Sequence, residues 1–500
     1  MQLILNTSKH KSMQILDESI VFQEETGEIV LPDTQPDVIR VLDTFANVLL
    51  KSKEAEQGRA VIKGVLQTTV IYAAKDEGMY RVEHPIPFTV VVNKQNIVSD
   101  CALSAAVDVM QAEAVISNSR KVVVRLNLKA ALTCFAFTEP ALCIGIDNEA
   151  VFQKTKTVNI SSMSEYTEKT FVISDEVILD DKQDLDFDIL SCEYRFKDVE
   201  YSFSGTRMII RGKLETDVCW IASDKVTPSM CKWTTEFSQV LDAECSDISD
   251  CARVNMMMTG CYCDSGSYSR SGDVTSAAIE VHAVAQCEIF ESRELCLLDD
   301  FYCVSAEAEG EWEELAFAAG LKENEKIVKI NEKICSSDMF DEIVSSRITF
   351  GEVHRENDQY KVNGYISVCG YNRNMEAISV KNGFQVNCDC ENTCGIVSVK
   401  ADCISAEVSG DDLIISCDVI FASRTREIPV IRNLKNALIN EDKKYDNTPS
   451  VVLYRFGIGD TLWSIGKKYL SSCELIKTAN GIEDEEEKIH VGKMILIPKA

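Results

Sequence analysis

The sequence predicts a mainly β protein in which three tandem antiparallel β-rich repeat domains precede a small C-terminal βααβ module. Three observations lead to this fold class. Long stretches alternate apolar and polar residues, a segment near the N-terminus recurs further along the chain, and the last part of the chain combines helical spacings with two short strand patterns. With 500 residues, the chain can bury several separate cores.

An internal repeat organises most of the chain. The segment that begins at Glu28 aligns without a gap with the segment that begins at Glu176, 148 residues later, and a weaker third copy surrounds Gly364. Every copy contains a strand with a glycine and, further on, a strand with a phenylalanine; these residues are Gly64, Gly212 and Gly364, and Phe88, Phe237 and Phe384. A glycine inside a strand indicates a bulge or a close approach of another group to the backbone.

Each copy ends in a long alternating strand. Apolar residues occupy every second position from Val124 to Cys134, from Ile279 to Ile289 and from Leu413 to Phe421. Because successive side chains of a strand point to opposite faces, this pattern predicts antiparallel sheets with one buried face.

These patterns give the expected domain boundaries. Residues 1–160 and 161–304 form the first two β domains, and residues 305–428 form a helical connector followed by the third. The segment EGEWEELAFAAGLKENEKIVK, which starts at Glu309, is interpreted as partly helical. Residues 429–450 form a linker, and residues 451–500 form the terminal module, which is expected to move independently.

Composition limits the function classes. The chain has 80 acidic and 51 basic residues, a formal net charge of −29, which disfavours binding to nucleic acid and to anionic lipid. No apolar stretch approaches the roughly 18 residues that a membrane span needs. The N-terminus shows no apolar core of a secretion signal, so a cytosolic location without a membrane span is expected.

The 21 cysteines are an odd number, so they cannot all pair within one chain. In a reducing cytosol most of them are expected to be buried thiols. The pairs Cys261/Cys263 and Cys388/Cys390 lack the spacing of zinc knuckles, and no metal site is predicted. Cross-linking in an assembly that later becomes oxidising remains an alternative for some of them.

The sequence contains no recognisable catalytic constellation. The five histidines are scattered, and His282 falls on the polar face of its strand. Phosphate-binding loops, zinc-protease helices and nucleophile elbows are all missing from the sequence. We therefore expect a protein without enzymatic activity, catalytic residues or cofactor.

The last 50 residues carry the clearest local signals. A strand pattern at Val452, Tyr454 and Phe456 leads to Asp460 or Thr461, either of which can cap a helix. The apolar residues of two helices follow, and Asn480-Gly481 is a natural helix end; the apolar positions are Leu462, Ile465, Tyr469, Leu475 and Ile476. Met494, Leu496 and Pro498 indicate a closing strand. Trp463 is expected to pack in the small core.

This segment resembles the LysM domain over nearly its whole length. The resemblance implies a shallow groove for N-acetylglucosamine chains, formed by the loop after the first strand and the loop after the second helix. Carried over by motif, the groove residues are Gly459, Asp460, Thr461, Leu462, Asn480, Gly481 and Ile482.

Two departures from the LysM pattern stand beside the groove. Gly466 replaces the usual alanine of the first helix, and the acidic insert from Glu483 to Glu487 adjoins the second loop. Added carboxylates favour a basic protein partner over a neutral glycan. A solvated acidic loop without a partner is the alternative.

The combination of a Pro36-Asp37…Leu42 entry segment, tandem β repeats and one LysM domain resembles the SPOCS-repeat proteins of clostridial spore formers. The resemblance implies a non-enzymatic scaffold of spore coat or envelope assembly, made in the mother cell. Such a protein would dock through LysM onto the morphogenetic ATPase of the stage IV sporulation type at the forespore surface. The alternative is a cell-wall protein that binds N-acetylglucosamine-containing peptidoglycan.

Overall fold

The computed structural model describes residues 1–76, 78–180, 187–222, 228–243, 251–265, 275–317, 321–335, 340–389, 396–410, 412–426, 428–444, 449–482 and 489–499. Nearly all of its regular structure is β-strand, and its two helices lie close to the C-terminus. The predicted mainly β fold is therefore confirmed.

Within the residues that the structure describes, twenty-two strands form three consecutive units. The first unit contains β1 (Leu5–Lys9), β2 (Ser12–Val30), β3 (Arg40–Glu56), β4 (Arg59–Ala73), β5 (Met79–Asn93), β6 (Ala102–Asn118), β7 (Lys121–Thr138) and β8 (Ala141–Ile146). The second unit contains β9 (Val151–Asp180), β10 (Phe187–Ser204), β11 (Arg207–Ala222), β12 (Ser229–Asp242), β13 (Cys251–Ser265) and β14 (Thr275–Cys303). The third unit contains β15 (Ala306–Ala316), β16 (Leu321–Cys335), β17 (Phe340–Glu356), β18 (Gln359–Asn372), β19 (Ala377–Asp389), β20 (Ile396–Ser409), β21 (Asp412–Arg426) and β22 (Val430–Lys444).

The three units share one topology. Each has a sheet of three consecutive strands, in the orders β3-β4-β5, β10-β11-β12 and β17-β18-β19. Each also has a second sheet whose last strand lies in the middle, in the orders β2-β7-β6, β9-β14-β13 and β16-β21-β20. Every one of these pairings is antiparallel, and the weak third sequence copy has the same arrangement as the other two.

The long alternating strands are the middle strands β7, β14 and β21. Their alternate apolar residues are buried, as the period-two pattern predicts, and they face a separate core in each unit. Removal of these apolar faces from water between two sheets is the main force that holds each unit together.

The glycine shared by the repeats lies under a phenylalanine ring in every unit. Gly364 pairs with Phe384 on the neighbouring strand, and the same pairing joins Gly64 to Phe88 and Gly212 to Phe237. A Cβ atom built on Gly364 would lie 2.2 Å from the ring of Phe384. The glycine is therefore required because the ring occupies the space of a side chain, which confirms the predicted close approach.

A two-stranded ribbon extends from each unit, and we call it the stem. The stems are β1 with β8, the start of β9 with the end of β14, and β15 with β22. Apolar residues from all three stems form a common cluster, with Cys143 from the first, Phe301 from the second and Leu434 from the third, and Leu3, just before β1, joins it. The stems therefore join the three units at one end.

Two predicted segments are wrong. The segment that starts at Glu309 was expected to be partly helical, but its described residues, apart from Phe317, lie in β15 and β16. The expected linker 429–450 contains β22, which pairs with β15 to form the third stem. The Glu-rich runs by themselves favour a helix. In β15, pairing with β22 packs Trp312 and Leu315 against the apolar clusters of the stems, and this tertiary contact overrides the local preference.

The three-stranded sheets of all units meet at a shared junction. Its apolar cluster combines Leu42 and Phe45 of the first unit, Cys219 of the second, and Cys369 and Tyr371 of the third. Ten cysteines of the described residues are buried. These ten occupy core positions like other small apolar residues.

Arg347 of the third unit forms ion pairs across this junction. Its guanidinium donates to Asp43 of the first unit and to Glu193 of the second, and it lies over the ring of Phe45 at 4.4 Å. The side chains of Asp43 and Arg347 are 4% and 15% exposed, so water screens this pair poorly. One charged side chain therefore connects all three units.

Replacing Gly364 by alanine should destabilise the third unit. The added methyl group must displace the ring of Phe384, and such overpacking costs about 1–3 kcal/mol of unfolding free energy. Gly383 provides the control in the adjacent strand, because its Cβ would lie 3.9 Å from the nearest atom. Denaturant unfolding checks the difference, and equal stability of the two alanine variants would contradict the packing argument.

Replacing Arg347 by methionine should destabilise the junction by about 3–5 kcal/mol, because the buried carboxylate of Asp43 loses its partner. The double variant Arg347→Met/Asp43→Asn should regain much of that loss, since the carboxylate that remains without its partner, Glu193, is 24% exposed and partly solvated, whereas Asp43 is 4% exposed. Thermal unfolding measures both variants. A double variant no more stable than Arg347→Met would show that the charge of Asp43 is not the cause.

Candidate functional site

The C-terminal module has its own small core. It contains β23 (Val451–Arg455), α1 (Leu462–Tyr469), α2 (Cys473–Asn480) and β24 (Met494–Pro498). The two strands pair antiparallel, and both helices pack on one face of this ribbon through Phe456, Leu462, Ile465, Ile476, Ile495 and Ile497. The βααβ order predicted from the sequence is present.

Two loops meet at one end of the ribbon. Arg455, the last residue of β23, pairs with Met494, the first residue of β24. Beyond this pair, the amide of Phe456 donates to Lys493 O at 2.9 Å, and the amide of Gly492 donates to Phe456 O at 2.8 Å. The loop after β23 is therefore joined to the segment that leads from the second loop into β24.

In the first loop, polar side chains fix the backbone. Thr461 is the N-cap of α1, and it exchanges hydrogen bonds with Ser464 in a capping box. Asp460 does not cap the helix. Its carboxylate accepts from the amide of Gly457 at 2.7 Å and from the hydroxyl of Tyr454 at 2.9 Å. Gly459 has a positive φ of 84°, which allows this tight turn.

In the second loop, Asn480 connects α2 to β24. Its Oδ1 accepts from the Leu496 amide at 2.7 Å, and its Nδ2 donates to Leu496 O at 2.6 Å and to Ile476 O at 2.7 Å. Gly481 ends α2 in the left-handed conformation, with φ at 62°. The Ile482 amide donates to Lys477 O at 3.1 Å.

The structure therefore separates the seven predicted groove residues into two groups. Leu462 and Ile482 are buried, Asp460 and Asn480 use their side chains internally, and the Thr461 amide is bonded to Ser464. Gly459 and Gly481 expose their backbones to solvent. Most of these residues build the loops, and only part of their surface can reach a ligand.

Sequence reasoning missed the residues that the module exposes most. Ile458, at the tip of the first loop, is 93% exposed. Val491, in the segment that leads into β24, is also exposed. The outer face of the ribbon presents Val451, Leu453, Met494 and Leu496 to solvent. In the sequence, the apolar Ile458 directly before Gly459 was the signal that could have indicated this exposed loop tip. The acidic insert Glu483–Glu487 lies outside the described residues.

The module contacts the second unit, which corrects the expectation of an independently moving domain. Trp463 does not join the module's core cluster; its ring lies edge-on to Tyr302 of β14, with centroids 4.9 Å apart. Its indole donates to Asp300 at 2.8 Å. Trp463 occupies the helix position beside Leu462, which points outward when Leu462 points into the core.

A cavity of about 830 Å³ lies where the three units meet. Five of its carboxylates are paired with basic side chains, in the ion pairs Asp43–Arg347, Glu193–Arg347, Asp217–Arg195, Glu215–Lys197 and Asp402–Lys197. The hydrogen bond from Lys197 holds the pKa of Asp402 below its usual range, whereas a general acid needs a raised pKa. The two pairs of Arg347 and the Lys197–Asp402 pair connect different units, and the other two pairs lie within the second unit. None of them resembles an acid–base pair.

Replacing Asn480 by alanine should loosen β24 from α2, because three hydrogen bonds are lost. We expect about 1–3 kcal/mol less protection of the Leu496 amide in hydrogen exchange. Thr478→Ala is the control on the same helix, since its hydroxyl bonds only within α2. Unchanged exchange at Leu496 in Asn480→Ala would exclude this structural role.

Comparison with protein families identifies two segments of the chain. Residues 37–117 match the model described as SipL, SPOCS domain, and residues 454–498 match the LysM domain. No curated protein and no solved structure is similar enough to the chain to count as a match. Both matched families are non-catalytic domain families.

The SPOCS match begins at Asp37 and runs from β3 through β6 of the first unit. The segment before β3 is tied to this unit by Arg120, which donates to the carbonyls of Leu31, Pro32 and Gln35. The LysM match covers the module from Tyr454 to Pro498. The chain therefore carries a SPOCS domain of the SipL type and a C-terminal LysM domain, the domain combination of a sporulation protein with a peptidoglycan-binding module.

Proposed function

We propose that the chain is a non-enzymatic scaffold of spore coat or envelope assembly. In this proposal it acts in the mother cell, at the forespore surface. It docks through its LysM domain onto a coat-assembly protein, the morphogenetic ATPase of the stage IV sporulation type. The combination of SPOCS and LysM domains supports a role in a sporulating cell. The docking partner goes beyond what these domain matches support.

One observation carries the proposal. The LysM domain exposes an apolar surface that is wider than its groove loops, because the outer face of the β23–β24 ribbon adds Val451, Leu453, Met494 and Leu496. Glycan recognition in the groove needs only the two loops. Contiguous exposed apolar surface is typical of protein–protein contact sites.

The arrangement of the three units supports a scaffold role. They share one topology and meet at an apolar junction that Arg347 closes with two ion pairs. Ion pairs also occupy the cavity between the units, where a substrate would have to compete with them. This interior suits a rigid body that presents outer surfaces to partners.

Peptidoglycan binding is the second candidate. The LysM family favours it, and so do the solvent-exposed backbones of Gly459 and Gly481 beside the exposed side chain of Ile458. A sugar ring can stack on such an apolar side chain while exposed backbone groups bind its acetamido substituent. In this case the outer face of the ribbon would have no role in binding.

The two candidates differ in their response to Leu453→Asp. Leu453 is 63% exposed in the centre of the outer face, and a carboxylate there should weaken a protein contact by roughly tenfold or more without disturbing the core. Binding of the full chain to the purified ATPase and to peptidoglycan sacculi is measured side by side. We expect Leu453→Asp to weaken the first and to leave the second unchanged.

Ile327→Asp is the matched control, because Ile327 is 59% exposed on β16 of the third unit, far along the chain from the LysM domain. Tight binding to sacculi together with no binding to the ATPase would replace the scaffold proposal by the second candidate. A fluorescent fusion of the full chain that stays diffuse in sporulating mother cells would also contradict it.

A further inference from the structure

The LysM domain is held against the stem of the second unit by a set of contacts that we name the latch. Asp300 accepts a hydrogen bond from the indole of Trp463 at 2.8 Å and one from Lys467 at 2.6 Å. The hydroxyl of Tyr302 donates to Ser471 O at 2.6 Å. The latch therefore consists of two stem residues and three LysM residues.

Contacts within the stem hold the stem side of the latch in place. The pairing of β9 with β14 shifts register between Leu298 and Asp300, and such a bulge changes the direction of the side chains next to it. The amide of Phe301 donates to Asp300 at 2.9 Å, and the ring of Phe152 stacks on Tyr302 with centroids 5.3 Å apart. Both latch residues are therefore held by the stem itself.

The charge of Asp300 is also maintained. Burial alone would raise the pKa of its carboxyl, but the hydrogen bonds from Lys467 and Trp463 outweigh burial and hold the pKa below its usual range. Since the folded pKa is depressed, the contribution of this carboxylate is present near neutral pH and is lost only as the pH falls through that lowered value.

The LysM side presents one face of α1. Gly466 and Lys467 lie three and four residues after Trp463, so both are on the same side of the helix as Trp463. A Cβ atom on Gly466 would lie 3.0 Å from the hydroxyl of Tyr302 and 2.9 Å from Ser471 O. A glycine at this position allows the Tyr302 hydroxyl to reach the carbonyl of Ser471, just beyond the end of α1.

We propose that the latch is a positioning device that holds the LysM domain in one orientation on the sheet units, with Asp300 and Tyr302 as the positioning residues. The surfaces that remain exposed while the latch is closed include the loop tip at Ile458 and the outer face at Leu453. A partner that binds there contacts a LysM domain whose orientation relative to the three units is already fixed. Less orientational freedom is then lost on binding.

Fluorine NMR of the full chain labelled with 5-fluorotryptophan tests the latch directly and needs no partner. Trp463 reports on the LysM domain, and Trp220, buried in the second unit, is the internal reference. The Trp463→Phe variant assigns the signal. With the latch closed, both tryptophans should show the slow tumbling and fast transverse relaxation of the whole 55.7 kDa chain.

The variant Asp300→Ala/Tyr302→Ala should release the module, so that the transverse relaxation rate of Trp463 falls several-fold while that of Trp220 does not change. Asp299→Ala is the control, since the neighbouring carboxylate pairs with Lys154 at 3.0 Å. Slow relaxation of Trp463 relative to Trp220 in the unaltered chain would overturn the proposal. So would an unchanged Trp463 rate in the released variant. Because the readout involves no partner, failure of the scaffold proposal leaves this result intact.

Discussion

The junction between the three sheet units is the contact on which the rest of the architecture depends. Leu42, Cys219 and Tyr371 come from different units, and they can be buried together only when all three sheets are in place. Arg347 adds a geometric requirement, because its guanidinium can donate to both Asp43 and Glu193 only when all three units are in place. This junction fixes the relative positions of the three units. The positions of their stems, and of the LysM domain that contacts the second stem, depend on it.

Each unit is organised around a glycine and a phenylalanine, which explains how a degenerate repeat keeps one topology. The ring lies where a side chain would be, so the pair fixes the register of two neighbouring strands. The remaining positions need only alternate between apolar and polar residues. The third copy has diverged most in sequence, yet it keeps Gly364 under Phe384 and has the same strand order.

The LysM domain shows how a resemblance and a structure give different information about a site. The motif indicated the two loops, and the structure assigns much of their polar chemistry to folding: Asp460 holds the first turn, and Asn480 joins α2 to β24. What remains available to a partner is the loop tip at Ile458 and the outer face of the ribbon. Trp463, expected in the core, contacts the second unit instead.

The sequence by itself determined the class of fold, the three repeats, the buried faces of the long strands and the βααβ module, because these depend on periodicity and on local spacing. It did not determine the stems. The Glu-rich segment in β15 was expected to be partly helical, because its own residues favour a helix and the strand that pairs with it, β22, lies more than a hundred residues further along the chain. The junction and the latch were also decided only by the tertiary structure. Arg347, Asp300 and Tyr302 are ordinary residues of their strands, and no spacing signal reveals that each faces another part of the chain.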